Sequence, residues 1–230
     1  MKTIGLLGGM TWESSALYYR LINEAVREIK GSLHSAELLL YSVDFSEIEE
    51  MQRTGDWAGA GYRLAERAVA LERAGADMLL LCTNTMHKVA DTISSAISIP
   101  FLHIAEPTGN AIAEAGLTRI ALLGTVFTME QEFYKGYLQK LYGLDVMVPD
   151  LEERETIHRI IYEELSQGTV SPSSRDAYLS IITHMADNGA QGVILGCTEI
   201  GLLVTQKDTA IPLFDTTRLH AQFAVKMALC

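Results

Sequence analysis

Short continuous apolar runs alternate with longer stretches of helical spacing along the chain. Residues 3–7 form a strand-like run that ends at two glycines, and residues 11–29 then place their apolar side chains on one side at helical spacing. Residues 78–82 form a fully apolar run, which follows a helical pattern over residues 57–74. Apolar strands that alternate with amphipathic helices predict parallel sheets with helices on both faces, which is the α/β fold class.

The same alternation continues through the rest of the sequence. The remaining predicted strands are residues 37–43, 99–103, 119–123, 144–148, 192–195 and 211–214. The remaining predicted helices are residues 84–96, 108–115, 127–141, 152–166, 173–188, 200–204 and 217–229. Ligands of such folds bind beyond the carboxyl ends of the strands, so we expect functional residues directly after strands.

The two halves of the chain resemble each other. Residues 75–84 (GADMLLLCTN) match residues 189–198 (GAQGVILGCT) at an offset of 114 positions, which aligns Thr83 with Cys197. Residues 4–8 match residues 120–124 at nearly the same offset. A repeat of this length predicts two similar doubly wound parallel-sheet domains related by internal duplication. We expect residues 1–98 plus 213–230 to form the first domain and residues 99–212 the second.

Thr83 and Cys197 occupy matching strand ends, so their side chains can approach one substrate from opposite sides. This arrangement suits a reaction that moves a proton from one face of a carbon to the other. Cys197 also lies where a strand gives way to a helix, and a helix N-terminus lowers the pKa of a thiol. We therefore expect Cys197 to be reactive. Cys82 should point to the other side of its strand and is interpreted as a core residue.

Composition narrows the function classes. The 230 residues carry a net charge of −11, which argues against nucleic acid as a partner, because nucleic-acid binding depends on basic patches. No apolar run approaches the roughly 18–20 residues that span a bilayer, and the N-terminal residues lack a signal-peptide pattern, so we expect no membrane partner. The odd number of cysteines, three, argues against a disulfide framework and favours a cytoplasmic location.

Polar residues directly after the strands offer a second kind of chemistry. Asn84 and Thr85 follow one apolar strand, and Thr198 and Glu199 follow its counterpart. Such residues cap helices, and a helix N-terminus also presents free N–H groups and positive potential to a substrate carboxylate. The four residues are therefore interpreted either as caps alone or as part of a substrate site.

Three motifs resemble the aspartate/glutamate racemase family, the cofactor-independent amino-acid racemases. They are residues 5–10 (GLLGGM), 83–87 (TNTMH) and 196–199 (GCTE), and the similarity runs the whole length of the chain. The resemblance implies two similar α/β domains with the active site in the cleft between them. It implies a homodimer that uses neither pyridoxal phosphate nor a metal. It also implies that a thiolate on one side removes the α-proton while a thiol on the other side donates one.

The chain departs from the family pattern at the first-half cysteine, where it carries Thr83. A threonine hydroxyl can donate a proton but is a very poor base near neutral pH, so Cys197 is the sole good base. In the family, the second-half cysteine usually works on the L-enantiomer. The hypothesis is that Cys197 removes the α-proton of L-aspartate, L-glutamate or a related amino acid. Thr83, or a water that it holds, then reprotonates the carbanion.

The resemblance also suggests residues that contact the substrate. Arg53, expected in the loop after the second strand, resembles the family's arginine that clamps a carboxylate, and a solvated surface arginine fits equally well. Gln167 stands where some aspartate racemases carry a lysine that binds a carboxylate. Thr125 and Thr128 match the corresponding turn of the first half and are interpreted as hydroxyls for the substrate or as helix caps. Met10 is interpreted as a pocket wall or a packing residue.

Two histidines near the strand ends, His87 and His103, are interpreted as hydrogen-bonded structural residues. Residues 8–9 (GG) lack both the lysine of a phosphate-binding loop and the spaced glycines of a dinucleotide fingerprint. We therefore expect no nucleotide, and the resemblance to the racemase family implies no cofactor.

Two other functions remain open. One effective thiol is enough for a decarboxylase or a cis-trans isomerase of small dicarboxylic acids, which are single-cysteine relatives in the same superfamily. A protein that lost the first cysteine because it lost catalysis would instead be a two-domain binder of an acidic amino acid. Ligand-dependent thermal stabilisation without any loss of α-hydrogen would indicate the binder.

Overall fold

The structure, a computed structural model, describes all of residues 1–230, which form two compact α/β units. The first unit comprises Met1–Ile104 and His220–Cys230, and the second comprises Ala105–Leu219. No helix in the structure is both long enough and apolar enough to cross a membrane.

The first unit is built on a four-stranded parallel sheet. Its strands are β1 (Ile4–Gly8), β2 (Leu38–Ser42), β3 (Met78–Leu81) and β4 (Phe101–Leu102). They lie in the order β2-β1-β3-β4, and every neighbouring pair is parallel. The helices are α1 (Trp12–Lys30), α2 (Phe45–Thr54), α3 (Trp57–Arg73) and α4 (Ala90–Ser94), with a 3-10 helix at Thr85–Val89.

The second unit repeats this design. Its strands are β5 (Arg119–Gly124), β6 (Asp145–Met147), β7 (Gly192–Gly196) and β8 (Leu213–Asp215), parallel in the order β6-β5-β7-β8. Its helices are α5 (Ala105–Glu114), α6 (Val126–Glu130), α7 (Glu132–Tyr142), α8 (Leu151–Glu163), α9 (Pro172–Asp187) and α10 (Ile200–Leu203). Two 3-10 helices lie at Leu165–Gln167 and Gln206–Asp208, and α11 (Thr216–Leu229) is the last helix. The identical strand order in the two sheets confirms the predicted pair of doubly wound α/β domains.

Strand register gives an independent alignment of the two halves. Leu81 pairs with Leu7 in the first sheet, and Leu195 pairs with Leu123 in the second. Thr83 and Cys197 each lie two positions after the β3 or β7 residue of these pairs. The two residues are therefore equivalent by backbone pairing as well as by sequence.

Hydrophobic side chains fill both faces of the sheets. Leu6 and Leu80 pack on one face of the first sheet with residues of α1 and α11, whereas Leu7 and Leu81 pack on the other with residues of α3. In the second unit, Val193 and Leu195 pack with residues of α8 and α9. Burial on both faces explains why the strand sequences are continuously apolar instead of alternating.

Several predicted elements differ from the observed ones. Helix α2 was expected as a loop, yet Asp44 caps it by accepting from the Ser46 backbone N–H at 3.0 Å. The helix predicted over 127–141 is two helices that meet at Gln131, and the helix after β3 begins with 3-10 geometry. In the last two cases a local turn interrupts or tightens a stretch with a helical hydrophobic pattern, whereas α2 has little such pattern.

Candidate active site

Cys197 directly follows β7, where the backbones of β7 and β5 lie unusually close. A side chain at Gly196 would place its Cβ 2.8 Å from the Leu122 Cδ1 atom and 2.9 Å from the Leu123 carbonyl oxygen. Only glycine fits this position, since real Cβ atoms do not approach other heavy atoms so closely. The close strand pairing therefore fixes the backbone from which the Cys197 side chain projects.

The Cys197 thiol faces a buried carboxylate. Its Sγ donates to Oε2 of Glu199 at 2.9 Å, and the Thr198 hydroxyl donates to the same oxygen at 2.5 Å. Glu199 is 4% exposed, and Cys197 is partly buried. The three consecutive residues thus form a compact cluster, which we call the thiol–carboxylate cluster.

Burial raises the pKa of the Cys197 thiol well above its ordinary value, and the Glu199 carboxylate raises it further. The backbone N–H groups of Thr198 and Glu199 act in the opposite direction but are outweighed. The expectation that a helix N-terminus lowers this pKa is therefore wrong in direction. The helix that follows, α10, spans only Ile200–Leu203, so it lowers the thiol pKa little. The Glu199 carboxylate, in contrast, is in direct contact with the sulfur and raises this pKa.

A buried tyrosine lies in the same neighbourhood. Tyr178 is fully buried, and its hydroxyl donates to the Ile157 carbonyl oxygen at 3.4 Å. Burial raises the pKa of Tyr178 well above its ordinary value, and Cys197, Glu199 and Glu164 raise it further. The Tyr178 hydroxyl therefore stays protonated, and the side chain is a neutral neighbour of the thiol–carboxylate cluster.

Two threonines after β5 lie next to the same strand end. The Thr125 hydroxyl accepts from the Thr128 backbone N–H at 3.3 Å and so caps α6. The two hydroxyl oxygens lie 3.2 Å apart. A Cβ added to Gly196 would lie 3.4 Å from the Thr128 methyl carbon, so this pair is adjacent to the residue that precedes Cys197. Of the two interpretations, the cap therefore holds for Thr125, and both hydroxyls lie beside the strand that leads to Cys197.

In the first unit, the His87 side chain forms a hydrogen bond with the Thr83 backbone. The Nδ1 atom of His87 lies 2.8 Å from the Thr83 carbonyl oxygen, and its Nε2 lies 3.2 Å from the Ile104 backbone nitrogen. A carbonyl only accepts and a backbone N–H only donates, so Nδ1 carries the proton and Nε2 accepts. Burial lowers the pKa of His87 well below its ordinary value, and neighbouring His103 and His220 lower it further.

A second histidine continues this network. The Nε2 atom of His220 lies 2.8 Å from the Leu102 carbonyl oxygen, so it donates, and its Nδ1 accepts from the Tyr18 hydroxyl at 2.9 Å. Burial lowers the pKa of His220 to about 3 and that of His103 to about 4. These histidines are neutral and do not carry protons near neutral pH, and the hydrogen bonds of His87 fit its expected structural role.

One further cluster has the composition of a metal site. Oxygen and nitrogen atoms of Asp150, Glu153 and His184 lie within 4.8 Å of one another. Asp150 caps α8, however, and His184 is hydrogen-bonded to Glu153 at 2.8 Å. These hydrogen bonds explain why the three residues lie together: Asp150 caps α8, and the Glu153–His184 bond joins α8 to α9.

A sequence model of the family described as Asp/Glu/Hydantoin racemase matches residues 7–224. The chain belongs to this family. Membership confirms the resemblance seen in the three motifs and places the chain among amino-acid racemase enzymes.

Three similar proteins agree with this family assignment. A presumed Asp/Glu racemase from Yersinia pestis has a crystal structure that is 51% identical and covers 100% of both chains with a TM-score of 0.93. An aspartate racemase homologue from Pyrococcus horikoshii OT3 is 35% identical over 100% of both chains, with a TM-score of 0.87. The broad specificity amino-acid racemase RacX of Bacillus subtilis is 23% identical over 229 residues, 98% of each chain.

The other predicted site residues of this racemase-family chain occupy contrasting environments. Asn84 and Thr85 are buried directly after β3, and Met10 is buried after β1. Arg53 is exposed in the last turn of α2, so its expected loop position is wrong. Gln167 is exposed as well, and its side-chain amide donates to the Tyr162 carbonyl oxygen at 3.4 Å.

Gln52 is a buried polar residue that was not predicted from the sequence. Its side-chain amide nitrogen lies 3.0 Å from the sulfur of Met86, which belongs to the 3-10 helix after β3. The available signal was spacing: Gln52 lies four positions after Ile48, and both are buried on one face of α2. A glutamine on the apolar face of a helix, next to Arg53, indicates a polar contact inside the fold.

Proposed function

We propose that this protein is a cofactor-independent amino-acid racemase that uses Cys197 as base and the Thr83 position as acid. The observation that carries the proposal is the equivalence of the two residues in strand register, with a thiol at one strand end and a hydroxyl at the other. The family match over residues 7–224 supports the reaction class.

The proposed reaction is a two-step proton transfer. The Cys197 thiolate takes the α-proton of an L-amino acid, which breaks the Cα–H bond and leaves its electron pair on carbon. The O–H of Thr83, or of a water that it holds, then gives a proton to the opposite face. The oxyanion that results regains its proton from solvent, and the thiol loses its proton, which ends in solvent, before the next α-proton is removed.

Thr83 limits the reverse direction. A hydroxyl is a far weaker base than a thiolate at neutral pH, so removal of the α-proton from the D-enantiomer is slow. The two enantiomers nevertheless have equal free energies, which requires equal kcat/KM in the two directions. Any one-way behaviour therefore arises from saturation, slow turnover or assay sensitivity.

The proposed substrate is aspartate, glutamate or a related amino acid. The names of the similar proteins support this range, since one is an aspartate racemase homologue and another a broad specificity amino-acid racemase. In this proposal Asn84, Thr85, Thr125 and Thr128 bind the α-carboxylate and α-amino groups. Arg53 and Gln167, both exposed, contact the side chain of the substrate, with Met10 as an apolar wall.

We extend the proposal to a cytoplasmic homodimer. Three free cysteines fit a reducing compartment. Trp12, Tyr19 and Leu33 are large exposed apolar residues, which is the composition that subunit contacts use.

A single-thiol reaction is the second candidate, and Thr83 is the observation that favours it. A decarboxylase needs a thiol only to protonate the carbanion that remains after CO₂ leaves, and a cis-trans isomerase needs a thiolate only to add to and leave a double bond. Both reactions can proceed with Cys197 and without a second base.

The test is α-proton exchange of L-glutamate and L-aspartate in D₂O, followed by NMR and chiral chromatography. Wild type is expected to incorporate deuterium and to form the D-enantiomer, and Cys197→Ala to do neither. Thr83→Cys is expected to raise kcat/KM equally in both directions and to raise kcat most from the D side, because a thiolate replaces a very weak base.

If Thr83→Cys is no faster from either enantiomer, the proposed pairing is wrong. If wild type exchanges no α-proton of either substrate, the racemase proposal fails for these substrates. Release of CO₂ from substituted malonates or isomerisation of maleate would then support the single-thiol reaction.

A further inference from the structure

We propose that Glu199 is a catalytic proton acceptor for Cys197, and not a ligand of the substrate. This inference rests on the proposed function, because it assigns the source of the Cys197 thiolate. Two atoms define it: Sγ of Cys197 and Oε2 of Glu199, which lie 2.9 Å apart with the thiol as donor.

The resting pair is a thiol and a carboxylate. A thiol that donates a hydrogen bond to a carboxylate is protonated, and a protonated thiol removes no α-proton. The catalytic cycle therefore needs a group that takes the thiol proton before the substrate is attacked. Glu199 is in hydrogen-bond contact with the sulfur, and the distance lies in the range expected of a working proton acceptor.

The proton-transfer step balances without any added reagent. The S–H bond of Cys197 breaks, its electron pair stays on sulfur, and an O–H bond forms at Oε2 of Glu199. The thiolate then takes the α-proton of the substrate and becomes a thiol again. Glu199 loses its proton to solvent while the oxyanion at the Thr83 position gains one, so the enzyme returns to its starting state.

Thr198 holds the carboxylate in place. Its hydroxyl donates to the same Oε2 at 2.5 Å, so this oxygen receives both the threonine O–H and the cysteine S–H. Two donors on one oxygen fix its direction toward the sulfur. They also occupy sites at which this oxygen would otherwise accept hydrogen bonds from a substrate.

Tyr178 lies near both members of the pair and also near a second carboxylate, Glu164. Tyr178 is buried, and its raised pKa reflects burial together with Cys197, Glu199 and Glu164. Glu164 accepts from the Ser174 hydroxyl at 2.6 Å and lies 3.5 Å from Arg159, so its charge already has partners. Glu199 is thus the carboxylate in contact with the thiol, and Glu164 provides a matched control in the same unit.

The test compares Glu199→Gln with Glu164→Gln in a Cys230→Ser background. Both variants replace a carboxylate by an amide of the same shape. The Cys230→Ser background leaves Cys197 as the only cysteine outside the core, because Cys82 is buried. Glu199→Gln is expected to lower kcat for exchange of L-glutamate by about 100-fold, with KM changed by less than about threefold. Glu164→Gln is expected to leave both constants near their wild-type values.

Thiolate absorbance near 240 nm, measured against pH, provides a second readout independent of the substrate. Glu199→Gln is expected to form the thiolate at lower pH than wild type because the neighbouring negative charge is gone. A variant that ionises more readily yet reacts more slowly indicates a lost proton acceptor. A merely destabilised fold would lower the melting temperature and would not produce this opposite pair of changes.

Each alternative has its own outcome. A raised KM with unchanged kcat in Glu199→Gln would assign Glu199 to substrate binding and overturn the proposal. Exchange at the wild-type rate would overturn it as well, while the racemase proposal would stand. If wild type catalyses no exchange, the racemase proposal fails, and an unchanged thiolate titration in Glu199→Gln would separately refute the link between the two residues.

Discussion

Cys197 shows how one residue's environment decides its chemistry. The strand end presents the sulfur, but burial and the Glu199 carboxylate set its protonation state, and both favour the thiol. A thiol is the correct state for donating a proton and the wrong state for removing one. In the proposed mechanism, removal of the α-proton from the L-enantiomer therefore depends on a group that accepts the thiol proton.

His87 is the residue on which the Thr83 backbone depends. We predict that His87→Phe lowers the free energy of unfolding by about 2–4 kcal/mol, because it leaves the Thr83 carbonyl and the Ile104 N–H buried without this partner. For a chain of this size, that loss corresponds to a fall in melting temperature of roughly 5–15 °C. Differential scanning calorimetry measures it.

A surface substitution provides the control for His87. His34 is exposed, and His34→Phe is expected to leave the melting temperature close to that of wild type. If His87→Phe melts at the wild-type temperature, the hydrogen bonds of His87 do not stabilise this strand end.

The sequence indicates the positions of Thr83 and Cys197 better than it indicates the side chains around them. The repeat aligned Thr83 with Cys197, and strand register gives the same alignment. The raised pKa of Cys197 escaped prediction because it depends on burial and on which way the Glu199 side chain turns. Neither quantity is encoded in local spacing, since both result from the packing of β7 against its neighbours.

At the scale of elements, the close pairing of β5 and β7 positions the candidate site. We predict that Gly196→Ala sharply reduces activity, because its Cβ would lie 2.8–2.9 Å from atoms of Leu122 and Leu123 and would push the two strands apart. A displacement of about 1 Å at a reacting group is enough to cost roughly 100-fold in rate. The measurement is kcat/KM for exchange of L-glutamate.

Gly136→Ala provides the matched control. Gly136 lies within α7 of the same unit, and the nearest atom to its added Cβ is the flexible end of Glu132 at 3.2 Å. Alanine favours helix over glycine by roughly 0.5–1 kcal/mol, so this variant is expected to be as active as wild type and slightly more stable. Equal activity of Gly196→Ala and Gly136→Ala would show that the strand spacing does not matter.

Elements with strong hydrophobic patterns were predicted well, and the mainly polar helix α2 was not. The apolar runs of β3 and β7 were found almost to the residue because both faces of these strands are buried. Helix α2 was missed because its stretch of mainly polar residues buries only Ile48 and Gln52. This miss also misplaced Arg53, which lies in a helix turn and not in a loop.

At the scale of the whole molecule, three neutral histidines make the fold sensitive to acid. Burial lowers the pKa of His220 to about 3, that of His103 to about 4, and that of His87 well below its ordinary value. In the unfolded chain a histidine has a pKa of about 6.5. Below this pH the unfolded chain binds protons that the native chain does not bind, so the free energy of unfolding falls as pH falls.

We predict a loss of stability between about pH 6.5 and 5, before most carboxylates titrate, of up to about 1.4 kcal/mol per pH unit for each histidine. Urea unfolding at several pH values measures it. His220→Gln removes one of the three histidines, so the free energy of unfolding is expected to fall less steeply with falling pH by the contribution of that histidine. A stability that does not change over this range would contradict the neutral, buried state of the histidines.

The central claim is that, in this racemase-family chain, Cys197 is the residue that removes the α-proton of the substrate. The most direct measurement is the exchange of the α-proton of L-glutamate in D₂O by wild type and Cys197→Ala. Deuterium at the α-carbon and D-glutamate formed by wild type, with both lost in Cys197→Ala, is the predicted result. Exchange that persists without the Cys197 thiol would contradict the claim.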